Sequence, residues 1–348
     1  MQQQTNRYGT NTVSRGMHLT LFLTAMAWAA AANIISSRAA EGIAARFQLG
    51  LLTSLLENLF FLFLVVVGFR TLDWIATRSL FAKQVLPLPG RAGWLREWGI
   101  GAALGWALSL SVALPLLISG NLHGTLLWNS NTLPAMVAAV GSIVVGVLAI
   151  EVVFRGYPFR RLIDALGPSW ATALISVFVA VLVVQANPPR DSSTAIVDCT
   201  LFALLLAVAW LRTHALWLGW GLHFGYRTVT AIILGLPVAG RADFGSPTNM
   251  IASGPRWLTG GAFGPDAAVL TALMILVAMA VLYRVTRDLA WTHTFRPIVP
   301  AGYEVTVAPP AAHVAMEKAA APPPLVQILS TTPQTRSVVE PPPKPDPL

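Results

Sequence analysis

The sequence predicts an all-α, polytopic integral membrane protein of about eight transmembrane helices. Three observations carry that expectation. Of the 348 residues, 55% are hydrophobic and only 11% charged, where a soluble domain carries about 25% charged residues. Apolar windows recur along the chain, each near the roughly 20 residues that a helix needs to cross hydrocarbon. Basic residues concentrate in alternate connections between those windows instead of forming one face, so the net charge of +8 reads as a topology signal. It does not read as a surface for nucleic acid.

The windows fall at 17–36, 48–69, 98–119, 132–153, 168–186, 194–211, 214–236 and 266–283. Gly and Pro inside them, such as Pro115, are tolerated better in lipid than in water. One set of alternating connections, from Arg7 through Arg78, Lys83, Arg160 and Arg212 to Arg296, holds fourteen Lys and Arg, and the other set holds five. The positive-inside rule then puts both termini in the cytoplasm and favours an even number of spans. The small residues Ala29 to Ala32 admit a signal-peptide reading of the first window, but its apolar run is long for one.

The expected organisation is a cytoplasmic tail at 1–16, N-terminal transmembrane helices at 17–120, a transmembrane core at 121–290 and a Pro-rich disordered tail at 291–348. Thirteen of the 25 prolines lie in the last 52 residues, which favours polyproline-like chain over a packed fold. The chain ends in Pro347 and Leu348 with no cysteine nearby, so no prenylation signal is expected. Cys199, the single cysteine, excludes an intramolecular disulfide and a two-thiolate metal site.

Ionisable residues inside a bilayer are costly and are therefore functional candidates. They are Glu57, Glu151, Arg155, Asp198, His223 and Arg227. Glu151 and Arg155 are four apart, as are His223 and Arg227, so each pair shares a helix face. His214 lies nine residues from His223, about 900° of helical rotation, and cannot join it at one ion on an unbroken helix. After Glu151, the run from Phe154 to Leu162 alternates arginines with aromatic and aliphatic groups, which suits a helix or elbow at the membrane interface.

The run from Glu151 to Gly156 resembles the first motif of the CPBP family, the type II CAAX prenyl proteases and bacteriocin-processing membrane peptidases, written E-E-x-x-x-R. Gln185 to Pro189 resembles the end of the second motif, F-x-x-x-H with a following Asn-Pro. Leu211 to Trp217 and Leu222 to Arg227 resemble the third, and Gly254 to Asp266 is similar to the glycine-rich approach to the last helix. The resemblance covers roughly 95–285 and makes 121–290 a CPBP-like core. It implies a hydrolytic endopeptidase acting on membrane proteins or on prenylated or hydrophobic peptides, in the inner membrane of a bacterium, with a zinc-like divalent metal as its cofactor.

Mapped onto this chain, the implied catalytic residues are Glu151, His223, Arg155 and Arg227, and the implied metal ligands are Glu151, Gln185 and His223. Three positions depart from the pattern. Ile150 replaces the first glutamate, Gln185 the second-motif histidine and Arg227 the third-motif asparagine, which leaves a metal short of ligands. Two main readings follow, each resting on Glu151, Gln185 and His223 meeting in one polar hollow. In the first, Glu151 is a general base, His223 a ligand or proton carrier, and Arg227 the oxyanion donor. In the second, Glu151 closes between the two arginines as a structural pair, and the protein binds membrane proteins or peptides without cutting them. A transporter, hinted at by Glu57 and Asp198, is the third reading.

Overall fold

The computed structural model describes residues 14–77, 86–126, 128–189, 192–242 and 245–293. The expected Pro-rich tail lies outside the described residues from 294 on, as does most of the N-terminal tail. Seven described helices are long and apolar enough to cross a membrane. Large apolar side chains such as Leu23, Ile34, Phe63, Val137 and Leu174 point outward. Water would penalise that surface, whereas hydrocarbon accepts it. The protein is an integral membrane protein.

Helix α1 (Arg15–Phe47) starts at Ser14, whose hydroxyl accepts the Met17 N–H. Its 33 residues span about 50 Å, well beyond the expected window at 17–36. The extension follows from a small-residue face, with Ala25, Ala29, Ala32, Ser36, Ala40 and Ala44 all buried. Helix α2 (Thr53–Thr77) lies against it, and Trp28 Nε1 donates to Leu64 O across the pair at 2.9 Å. Helix α3 is Trp94–Ile118 and helix α4 is Thr132–Arg155. Asn58 of α2 donates to both the backbone and the hydroxyl of Ser142 on α4.

Gly156 ends α4, and helix α5 (Tyr157–Leu166) follows it after the break. Its arginines are not idle: Arg161 pairs with Asp73 of α2, and Arg160 lies over Trp210. Helices α6 (Pro168–Ala186) and α7 (Ser192–Thr213) follow. Helix α8 (Trp217–Arg227) continues as a π-helix over Thr228–Ile233. Together they cover 217–233 of the expected 214–236 window, which is not one of the seven helices long and apolar enough to cross a membrane. The connection after it folds into a four-residue helix α9 (Arg256–Thr259) and 3-10 turns before helix α10 (Val269–His293).

Helix α8 is the centre of the bundle, because α3 approaches it at backbone distance. A Cβ on Gly101 or Gly105 would stand 2.2 and 2.1 Å from carbonyls of Leu218 and Leu222, and one on Gly221 or Gly225 would meet carbonyls of Trp98 and Ala102 as closely. This is the small-x3-small packing that membrane helices use, here reciprocal between the two partners. The fold also contains a feature that the sequence did not suggest. Strand β1 (Leu122–Leu126) pairs antiparallel with strand β2 (Thr248–Ala252), joining the connection before α4 to the one after α8.

Gly105→Val should push α3 off α8, with overpacking of the kind that costs about 1–3 kcal/mol. The expected outcome is a clear fall in melting temperature in detergent, with Gly99→Val, which meets nothing, as the unaffected control.

Candidate functional site

Glu151, in the last turn of α4, is 1% exposed. A carboxylate so placed must be met by cations or donors, and two arrive. Arg155, one turn on, donates to Oε1 at 3.2 Å, and His223 of α8 donates through Nδ1–H to the same oxygen at 2.8 Å. The ionised Glu151 that Arg155 requires fixes that imidazole tautomer, leaving Nε2 as the ring's acceptor. Arg155 donates onward to Ala203 O of α7 at 3.1 Å, and Phe202 packs edge-on against His223. One carboxylate oxygen thus ties α4, α8 and, through Arg155, α7. The two half-sites meet as expected, but Glu151 closes between Arg155 and His223, not between the two arginines.

Beside this cluster lies a cavity of about 130 Å³, lined from α4, α6, α7, α8, α10 and the connection after α8. Arg155, His223 and Arg227 line it, together with Asp198 and Asp266, against apolar walls that include Ile150, Val179 and Val183. Glu151 is not in the lining. Its Oε2 is buried without a hydrogen-bond partner and faces Gly219, 3.5 Å from where a Cβ there would stand. From α4 the cavity is faced by Ile150, Phe154 and Arg155.

Gln185 is exposed near the end of α6 and does not reach the cavity. The expected hollow of Glu151, Gln185 and His223 is therefore not formed. Instead Val179 and Val183, four apart on α6, line the cavity wall. Two residues are about 200° of helical rotation, which carries position 185 away from the face that position 183 shares with the site. Ile150, where the resemblance implies a glutamate, and Val183 of α6 thus present aliphatic side chains to the cavity. His214 sits in the bend between α7 and α8, with a left-handed φ of 50°, and is no part of the cluster.

The donor set does not suit a divalent cation. Glu151 already shares one oxygen between Arg155 and His223, two guanidinium groups line the adjoining cavity, and among the described residues no three His, Cys, Asp or Glu side chains group as ligands. Zinc sites use about three protein donors at least.

Two residues that the sequence reading passed over complete the cavity. Tyr226 donates its hydroxyl to Asp266 Oδ1 at 2.6 Å, and the Ala239 N–H donates to Oδ2 at 2.7 Å. Burial pushes the Asp266 carboxyl above its ordinary value, and Tyr226, Ala239 and the charge of Arg227 pull it back. A carboxylate abutting a span was the available signal. Further out, Glu57 and Asn58 of α2, with Arg241, line a cleft of about 360 Å³ against α4 that shares Ile150 and Arg227 with the cavity.

Residues 131–229, from the start of α4 into the π-helical end of α8, match the family model of the type II CAAX prenyl endopeptidases, Rce1-like. Over that segment the chain is similar to this CAAX-type membrane protease family. No curated protein and no solved structure matches it. The matched segment holds both halves of the Glu151, Arg155 and His223 cluster. The resemblance read from Glu151 to Gly156 and from Leu222 to Arg227 thus falls on the Rce1-like segment.

Because Glu151 is buried and doubly engaged, removing a partner strands a charge. Arg155→Met should cost about 3–5 kcal/mol, as broken buried ion pairs do, read as a large loss in melting temperature. Arg96→Met, on the exposed part of α3, should leave it unchanged.

Proposed function

We propose that this chain is a non-cleaving member of its protease family, which retains the membrane scaffold and holds hydrophobic segments of membrane proteins or peptides without hydrolysing them. The observation that carries this reading is the turn of Glu151. Its carboxylate lies behind the cavity wall, committed to Arg155 and His223, while Ile150 and Val183 face the cavity. A general base must come within hydrogen-bond reach of the water it activates, and at Ile150, where the resemblance implies a glutamate, the cavity has an aliphatic side chain instead. The cavity of about 130 Å³ is also well below the roughly 300 Å³ at which small-molecule pockets begin. The larger cleft between α2 and α4 is the better-sized place for a guest segment, with Asn58 and Glu57 to meet its polar groups.

The second reading, a working endopeptidase, is favoured by one observation. His223 lines the cavity with its tautomer fixed by Glu151, and Arg227 lies beside it as a cation for an oxyanion. Both readings keep the termini in the cytoplasm, as the distribution of Arg and Lys supports, in a bacterial inner membrane whose lipids surround the bundle. Neither involves nucleic acid.

Purified protein in detergent, given prenylated and hydrophobic peptides, should release no cleavage product, and Glu151→Ala should behave the same apart from lower stability. Cleavage that depends on Glu151 would establish the second reading instead. The register makes a separate demand. Ile150→Glu with Val183→His and Arg227→Asn should acquire a stoichiometric metal ion in elemental analysis, whereas the same variant built with Gln185→His should not.

A further inference from the structure

Two aspartates, Asp198 of α7 and Asp266 just before α10, line the cavity beside His223, and the family chemistry uses neither. Their surroundings differ in kind. Asp266 has a donor on each oxygen, from Tyr226 and Ala239, and Arg227 on the same cavity. Asp198 is 2% exposed, and its Oδ2 is buried with no hydrogen-bond partner among the described residues. Two carboxylates on one low-dielectric cavity resist ionising together. An unpaired carboxylate there costs far more than the neutral acid. Asp198 takes one backbone N–H, from Ala268, against the two donors on Asp266, so the proton rests on Asp198, the side chain with the bare oxygen.

The charged and titratable groups facing Asp198 are few. Alpha-helix α7 adds Cys199, α8 adds His223, Tyr226 and Arg227, α4 adds Arg155, and Asp266 comes from the turn before α10; α6 contributes only Val179 and Val183 to the wall. Water has room, since one molecule needs about 15 Å³ of such space. A route outward is also present. Ala239 and Asp266, joined by their hydrogen bond, close the cavity, and the next residues along the chain, Gly240 and Ala267, line an open vestibule of about 610 Å³.

We propose that Asp198 is a proton-binding site, a carboxylic acid that takes up and releases a proton inside the membrane through the cavity and the vestibule behind the Ala239 to Asp266 contact. The ligand is the proton itself, and the site exists whether or not the chain cleaves peptides.

The test uses the full chain in liposomes with dicyclohexylcarbodiimide, which adds to a protonated carboxyl, takes its proton onto nitrogen and leaves a stable N-acylurea that peptide mass spectrometry locates. Asp198 should be modified at neutral pH, and the yield should fall steadily as the pH is raised. Replacing choline chloride with sodium chloride should change nothing. A yield that ignores pH overturns the proposal, and protection by sodium replaces the proton with a metal cation. A second measurement does not need the reagent to enter. A native state that holds a proton the unfolded chain has lost becomes less stable as pH rises. The melting temperature of the wild type should therefore fall towards alkaline pH more steeply than that of Asp198→Asn. Parallel curves would remove the site.

Discussion

A carboxylate placed among lipid-facing helices has to be met by positive charge, and in this protein the meeting of Glu151 with Arg155 and His223 organises everything around it. Arg155 is on the same helix and comes without any tertiary cost. His223 does not, so Glu151 is satisfied only when α8 is seated beside α4. The onward bond from Arg155 to Ala203 O brings α7 into the same commitment. In water such a cluster would contribute little. Inside hydrocarbon the uncompensated state is so unfavourable that the cluster specifies one arrangement of three helices.

That seating depends in turn on glycine. Helix α8 is surrounded on most of its circumference, and it reaches its place only because Gly221 and Gly225 let α3 come within backbone contact while Gly101 and Gly105 return the accommodation. The absence of side chains at four positions on two helices sets the depth at which His223 sits. Steric and electrostatic requirements therefore act on the same element. The glycines allow the approach, and Glu151 selects its register.

Most of the architecture was legible because lipid imposes a simple grammar. An apolar window of the right length becomes a helix, so the window at 168–186 coincides with α6 and the window at 132–153 falls within α4. The extension of α1 was hidden because its buried face is alanine and serine, which hydropathy hardly distinguishes from solvent-exposed sequence. The pairing of β1 with β2 was not visible, since two five-residue segments far apart in the chain carry no periodic signal of their own. At the site, Glu151, Arg155 and His223 were legible because charged residues in a span must find one another. Gln185 misled for the same reason. It was the polar residue in the region where a polar residue was sought, whereas helix rotation turns Val183 to the cavity. Whether a charged side chain faces a cavity or merely its counter-ion is a matter of packing, so the turn of Glu151 away from the hollow had no signature in the sequence.

The β1 to β2 ladder has a consequence for biogenesis. One strand emerges before α4 and the other only after α8, so the ladder cannot zip until all the intervening spans have been threaded into the bilayer. The ribosome delivers the first strand early, and its unpaired edge must wait for a partner encoded more than a hundred residues later. Closing so long a loop is entropically unfavourable unless the inserted helices have already brought its ends together. The ladder is thus a late latch on assembly, which forms once the central bundle has been completed and marks that completion on one face of the membrane.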